Sequence, residues 1–366
     1  MKIDNPKVTL ADEARAGVQE EVRSGFLDWL FEFNVEGDDG ELYALGGSIL
    51  SMNLEKMDLV TLNYSKGKGS VRQLKSSIYK LAEYPGCIMQ KFYRNPQGTL
   101  RFEQREHSVL VTCGPQFSVE CFDNGEWHIV ADTLDGEYKA DLWHRAHGYP
   151  LWYGREKPSF LTQHSITYGY NWSGDVDGEF TYHGKTVKVK GTGQRERYVA
   201  VDSSAAELGG WEDWGYITFN EVHSSMYDMR LGMKDFAIYD LENGKYYPEG
   251  KMAIEHEDWA FMRELDGFIP TWYNIKIEVE DGVYEVRAHV CNARTWGVTF
   301  QVPDYPVATL IYDTIEGRFI YKDGTVRTLT GGRGSMSIRQ WHAYPNILPR
   351  ELYSDEEKTG EKFDTL

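Results

Sequence analysis

The chain has 366 residues and a formal net charge of −18, with 41% hydrophobic and 14% aromatic side chains. So much apolar material excludes a disordered chain, the negative charge argues against nucleic acid or an anionic membrane surface as partner, and no apolar run approaches the roughly 18 residues of a membrane span. The polar N-terminus lacks a signal-peptide core, so a cytoplasmic location is expected, and Cys87, Cys113, Cys121 and Cys291, with no CxxC spacing, are expected to be reduced.

In chain order, Thr9 stands three positions before Asp12 as in a capping box, which predicts a solvent-facing helix in an N-terminal segment 1–24. Behind Ser70, the residues Val71, Leu74, Ile78 and Leu81 fall at helical spacing and Pro85-Gly86 ends the pattern, predicting an amphipathic helix over 70–84. Nearly everything else reads as strands. From Thr99 to Glu137 apolar and polar residues alternate between Gly-containing turns, and similar turns recur at Asp177-Gly, His183-Gly, Asp281-Gly, Glu316-Gly and Asp323-Gly. The fold class is therefore mostly β, an antiparallel sandwich or barrel.

The chain also repeats itself. Asp177-Gly-Glu-Phe180-Thr-Tyr182 is echoed by Glu316-Gly-Arg-Phe319-Ile-Tyr321, Thr186-Val187-Lys188 by Thr325-Val326-Arg327, and, after a two-residue insertion, Gly191-Thr-Gly193 by Gly332-Arg-Gly334. An ordered series of matches indicates two related halves that close in the same hairpin. The expected division is a first β domain over 25–225, a second over 226–345, and a polar tail over 346–366.

The run from Tyr182 through Gly191-Thr-Gly193 to Glu196, followed by Trp211-Glu-Asp-Trp214-Gly215, resembles the hydroxyneurosporene synthase or carotenoid hydratase superfamily across roughly residues 25–345. The resemblance implies two lipocalin-like β domains in tandem and a cofactor-free cavity for a hydrophobic small molecule. The superfamily includes kievitone-hydratase-like proteins and fungal cyclases that catalyse Diels–Alder reactions. Carotenoid hydratases carry an Asp-His-x-Trp-Gly box; here only Trp214 and Gly215 match its end, while Trp211 and Glu212 stand where its Asp and His would be. Fold and pocket type transfer on this basis, and the hydratase's own proton chemistry does not.

No metalloprotease, nucleophile-elbow, Walker or dinucleotide motif is present, so no cofactor is expected. His144 and His147, at i and i+3, lack a third ligand within sequence reach, so no metal is expected either. Read as a loop at a barrel mouth, the segment Trp143–Tyr153 offers aromatic rings, His144 and His147 to a ligand. Tyr170 and Trp172 share one strand face, which is either a pocket wall or a sheet face buried against the other domain.

Glu196 alternates with Arg195 and Arg197 and has no acidic counterpart in the second copy. Facing an interior, it is a candidate proton donor; facing a neighbouring strand, it is an ion-pair partner. Asp213, flanked by Trp211 and Trp214, and His223, on a strand with Thr218 and Asn220, are the further catalytic candidates. Trp143, His144, His147, Tyr170, Trp172, Trp211 and Trp214 are the candidate substrate-binding residues. The leading expectation is a cofactor-independent enzyme that binds a terpenoid, polyketide or phenolic and catalyses acid-assisted hydration, isomerisation or cyclisation. A noncatalytic carrier of a hydrophobic ligand and a carbohydrate-active or carbohydrate-binding β protein are the alternatives.

Overall fold

A computed structural model describes residues 6–14, 26–52, 56–73, 80–160, 166–202, 212–229, 233–263, 267–297 and 306–339. A short helix, α1 (Leu10–Glu13), precedes the strands. Strands β1 (Phe26–Gly37), β2 (Leu42–Met52) and β3 (Met57–Lys66) open a first sheet, and β4 (Ser70–Gln73) and β5 (Lys80–Glu83) cross into a second. The chain then returns to the first sheet through β6 (Met89–Pro96), β7 (Leu100–Gln104), β8 (Ser108–Cys113), β9 (Phe117–Phe122), β10 (Glu126–Asp132), β11 (Tyr138–Ala146), β12 (Leu151–Phe160), β13 (Ile166–Tyr182) and β14 (Lys185–Asp202). The second sheet is completed by β15 (Glu212–Thr218), β16 (Val222–Met229), β17 (Lys234–Asp240), β18 (Lys245–Tyr247), β19 (Lys251–Met262), β20 (Gly267–Val279), β21 (Gly282–Gly297), β22 (Pro306–Tyr321), β23 (Val326–Leu329) and β24 (Arg333–Arg339).

Both sheets are antiparallel apart from one short parallel pairing, and both curl into lipocalin-like β domains arranged in tandem. The order β3-β2-β1-β14-β13-β11-β10 in the first is matched by β17-β16-β15-β24-β22-β21-β20 in the second. The repeated sequences occupy equivalent places in this scheme. Gly178 stands opposite Leu142 and Gly317 opposite Val286, while Phe180 and Phe319 are both buried two residues further on. The counterpart of β14 is broken into β23 and β24, with the break falling at the inserted residues before Gly332.

Burial follows the role of each strand. Strands β8 to β11 alternate buried and partly exposed positions, as half-solvated strands must. Strands β2 and β3 are buried at nearly every position, since one face packs on the first core and the other on the second sheet. Each sheet encloses its own core, one containing Trp29, Phe31 and Trp127, the other Phe219, Tyr284 and Phe319.

Two expectations are corrected. No helix is formed over the described parts of 70–84, which contain β4 and β5, with Leu81 and Ala82 consecutively buried, while 74–79 lie outside the described residues. Pairing of β5 along the edge of β19 satisfies backbone groups on both strands, which outweighs a local helical pattern. Strands β4 and β5, and β15 to β24, make up the second sheet. The capping box at Thr9 and Asp12 is present, but α1 is four residues long and is not solvent-facing throughout, because Glu13 is buried.

Candidate functional site

The two sheets meet across a junction formed by β1, β13 and β14 on one side and β15, β16 and β24 on the other. Along β14 the alternation read from the sequence holds. Arg195 and Arg197 enter the first core, where they lie over Trp127 and Trp29, with centroid distances of 4.7 and 3.7 Å. Thr192 and Glu196 instead reach side chains of the junction.

At one end of this junction lies a cleft of about 680 Å³. His147, Asp175 and His223 all line it, brought from the turn after β11, from β13 and from β16. The turn is held by the His147 N–H donating to the Ser173 carbonyl and by Trp172 Nε1 donating to the His147 carbonyl. Gly148 is obligatory there: its φ is +66°, and a Cβ would sit 2.1 Å from the Tyr239 ring. Segment Trp143–Tyr153 is therefore mostly strand, in β11 and β12, with only a tight turn between them, in place of the expected loop.

His147 Nε2 lies 2.8 Å from Asp175 Oδ2, and its ring meets the His223 ring edge-on at 4.8 Å. The hydrogen bond from His147 holds the Asp175 carboxyl below its ordinary range against the opposing effect of burial. Burial, and then the neighbouring His147, push the His223 imidazole down to about 3, so it is neutral near pH 7. His223 Nδ1 has no hydrogen-bond partner among the described residues. The rest of the lining mixes apolar Val189, Phe219 and Leu241 with charges of both signs: Lys188 and Lys190, Glu36 and Asp38, and Arg333, which lies 3.4 Å from Glu36.

Glu196 occupies a different part of the junction. Tyr153 O–H donates to its Oε1 at 2.6 Å, and Trp214 Nε1 donates to the Tyr153 oxygen at 2.9 Å. Burial, and then the carboxylate beside it, raise the Tyr153 hydroxyl well above its ordinary value, so it remains a donor. Tyr153, Tyr198, Trp214 and Tyr227 pack with Leu30 and Leu151 as an apolar nest.

Asp213 belongs to a third group. Strand alternation turns it away from Trp214 to His256, whose Nε2 is 3.0 Å from its Oδ2, and the buried Tyr273 ring lies edge-on to His256. Glu196, Asp213 and His223 are thus not brought together. His144 is inside the first core, stacked on Phe33 with its Nε2 3.3 Å from the Gly193 carbonyl oxygen, and so does not join His147. Tyr170 and Trp172 form a small cluster with Trp152 beside that core: Tyr170 O–H donates to Glu13 Oε1, and Trp172 stacks under Arg195. Trp143 is half-buried against His128, and Trp211 lies outside the described residues.

Asp175 and Tyr153 complete two of these groups and were not among the candidates. Tyr153 was visible as part of an aromatic run. Asp175 carries no signal of its own in sequence, because its partners come from other strands.

No family model matches the chain, and no curated protein matches it. Solved structures do. A protein assigned as AttH from Nitrosomonas europaea is 11% identical with a TM-score of 0.57, covering 92% of this chain and 98% of its own. CghA, solved with Sch210972, is 10% identical with a TM-score of 0.56 over 87% of this chain and 89% of its own. Kievitone hydratase from Nectria haematococca is 11% identical with a TM-score of 0.53 over 92% and 97%. At these identities the likeness is one of fold, and it spans both domains.

Proposed function

We propose that this protein is an enzyme acting on a small organic molecule in the junction cleft, by moving a proton or adding or removing water, so that the product is hydrated, isomerised or cyclised. The observation that carries the reading is the meeting of His147, Asp175 and His223 on the wall of a cleft of about 680 Å³. That volume is within the range of roughly 300–1,000 Å³ of small-molecule sites. A carboxylate-tethered imidazole beside a neutral one is a donor set suited to proton handling or water activation. Val189, Phe219 and Leu241 suit an apolar ligand body, while the mixed charges of Lys188, Lys190, Glu36 and Asp38 suit polar groups on it. The fold is shared with a protein named as a hydratase and with CghA solved with Sch210972, which supports a ligand-handling role.

A second reading keeps Glu196 as the acid, favoured by its burial beside the aromatic nest. The two are separated by extracting and identifying the small molecule that co-purifies with the protein, then measuring its binding and turnover. Asn220, an exposed residue of the cleft lining, becomes a plug as Asn220→Trp, which is expected to abolish binding. His147→Ala should lower turnover by roughly 10²–10⁴-fold, the span of acid–base groups. Binding that survives Asn220→Trp would place the ligand elsewhere. A loss of turnover confined to Glu196→Gln would move the chemistry to the nest, and binding without turnover in the unaltered protein would leave a carrier.

A further inference from the structure

We propose that His147, Asp175 and His223 form a binding site for one divalent transition-metal ion, zinc or an ion of similar preference, open to the junction cleft. Two imidazoles and a carboxylate are a donor set that such ions take. One ligand atom from each side chain lies within 4.8 Å of the other two. An ion with bonds of about 2.0–2.2 Å holds its ligand atoms roughly 3–3.5 Å apart, so a small side-chain rotation completes the shell. His223 supplies an independent pointer, since it is almost fully buried and its Nδ1 is unpartnered among the described residues. A buried polar atom without a partner is costly, and an ion bound at this nitrogen would remove that cost.

All three residues also line the cleft, which leaves the ion's remaining position facing the space assigned to the ligand. Three protein ligands and one open position is the arrangement in which zinc lowers the pKa of bound water to about 7. The ligands are 28 and 48 positions apart in the chain and come from both sheets, so no spacing motif announces them. The ion's role deepens the reading of the cleft as the reactive site and rests on it, whereas its binding does not.

The test uses tag-free, full-length protein stripped with a chelator. Zinc is titrated calorimetrically, and cobalt is added as a spectroscopic probe of the ligand geometry. We expect one equivalent of zinc per chain, a visible cobalt spectrum that zinc displaces, and a rise in thermal midpoint with zinc concentration. His147→Ala and Asp175→Asn, which alter partly exposed side chains, should weaken zinc by more than the roughly 10–100-fold that loss of a supporting hydrogen bond costs. His107→Ala, at an exposed His–Asp pair elsewhere, should leave it unchanged. Absence of saturable binding, binding unaltered in both ligand variants, or equal loss in His107→Ala would overturn the site. If zinc does not bind and His147→Ala still abolishes turnover, the cleft remains the active site without a metal. If zinc binds and Asn220→Trp leaves the organic ligand in place, the metal site stands and the reading of the cleft fails.

Discussion

His144 shows what a buried ionisable side chain does to stability when it has no counter-charge. Burial, and then the nearby Arg195, hold its imidazole well below the ordinary value, and His223 is likewise pushed down, to about 3. The folded protein keeps both rings neutral, whereas the unfolded chain protonates them below a pKa of about 6.5. On acidification the unfolded state therefore binds more protons than the native one, and stability falls as pH drops through and below that unfolded value. Each such group contributes a slope of about 1.4 kcal/mol per pH unit once its unfolded form is mostly charged. Denaturant unfolding of chelator-treated protein at about pH 6 and pH 5 measures the slope. His144→Gln should reduce it by up to one proton's worth; an unchanged slope would mean that His144 already carries a proton in the folded state.

At the scale of elements, β4 and β5 are the excursion that ties the first half of the chain to the second sheet. Gly69 N–H donates to the Cys291 carbonyl, Asn292 Nδ2 to the Gly67 carbonyl and Tyr84 O–H to the Val290 carbonyl, fixing the flanks of the excursion to β21. Leu81 is buried in the second core next to Ala260 and Phe261. Leu81→Ala is therefore expected to cost about 2–5 kcal/mol in chemical denaturation, as a core leucine does. A loss of only a few tenths would show that Leu81 does not pack in the second core. Sequence periodicity misjudged this segment because it records only which residues are apolar, while the free edge of β19 that recruits β5 lies about 180 residues away. The closing hairpins were legible because turn glycines and flanking aromatics are local signals, repeated in order. The alternation of Glu196 with Arg195 and Arg197 was legible for the same reason, as were His147 and His223 taken singly. Their meeting with Asp175, and the attachment of Glu196 to Tyr153, depend on strand order and on the packing of the two sheets, which no local pattern encodes.

The whole molecule is held together by a junction that is unusually polar for its depth. Glu32 on β1 accepts from Gln194 Nε2 at 3.1 Å within its own sheet, and across the junction from Thr309 Oγ1 at 2.8 Å and Arg294 Nη2 at 3.4 Å. Arg294, almost fully buried, reaches back from β21 to Asn63 on β3, and Asn34 Nδ2 donates to the Gly334 carbonyl at 2.6 Å. A sliding apolar interface would tolerate several registers, whereas these directional bonds are satisfied in one, and that register is what brings His223 of β16 against His147 and Asp175. Glu32 and Arg294 are therefore expected to be strongly coupled. Glu32→Ala leaves a guanidinium buried without its carboxylate and should cost about 3–5 kcal/mol, with Arg294→Met costing a similar amount. Because the second substitution removes the charge that the first leaves stranded, the double variant should lose less than the sum of the two, with a coupling of about 0.5–3 kcal/mol. The same variants should weaken zinc at the cleft although neither residue touches it, since the ligands come from both sheets. Additive losses in a double-mutant cycle, or unaltered zinc affinity in a folded Glu32→Ala protein, would show that the register of the two sheets is set elsewhere.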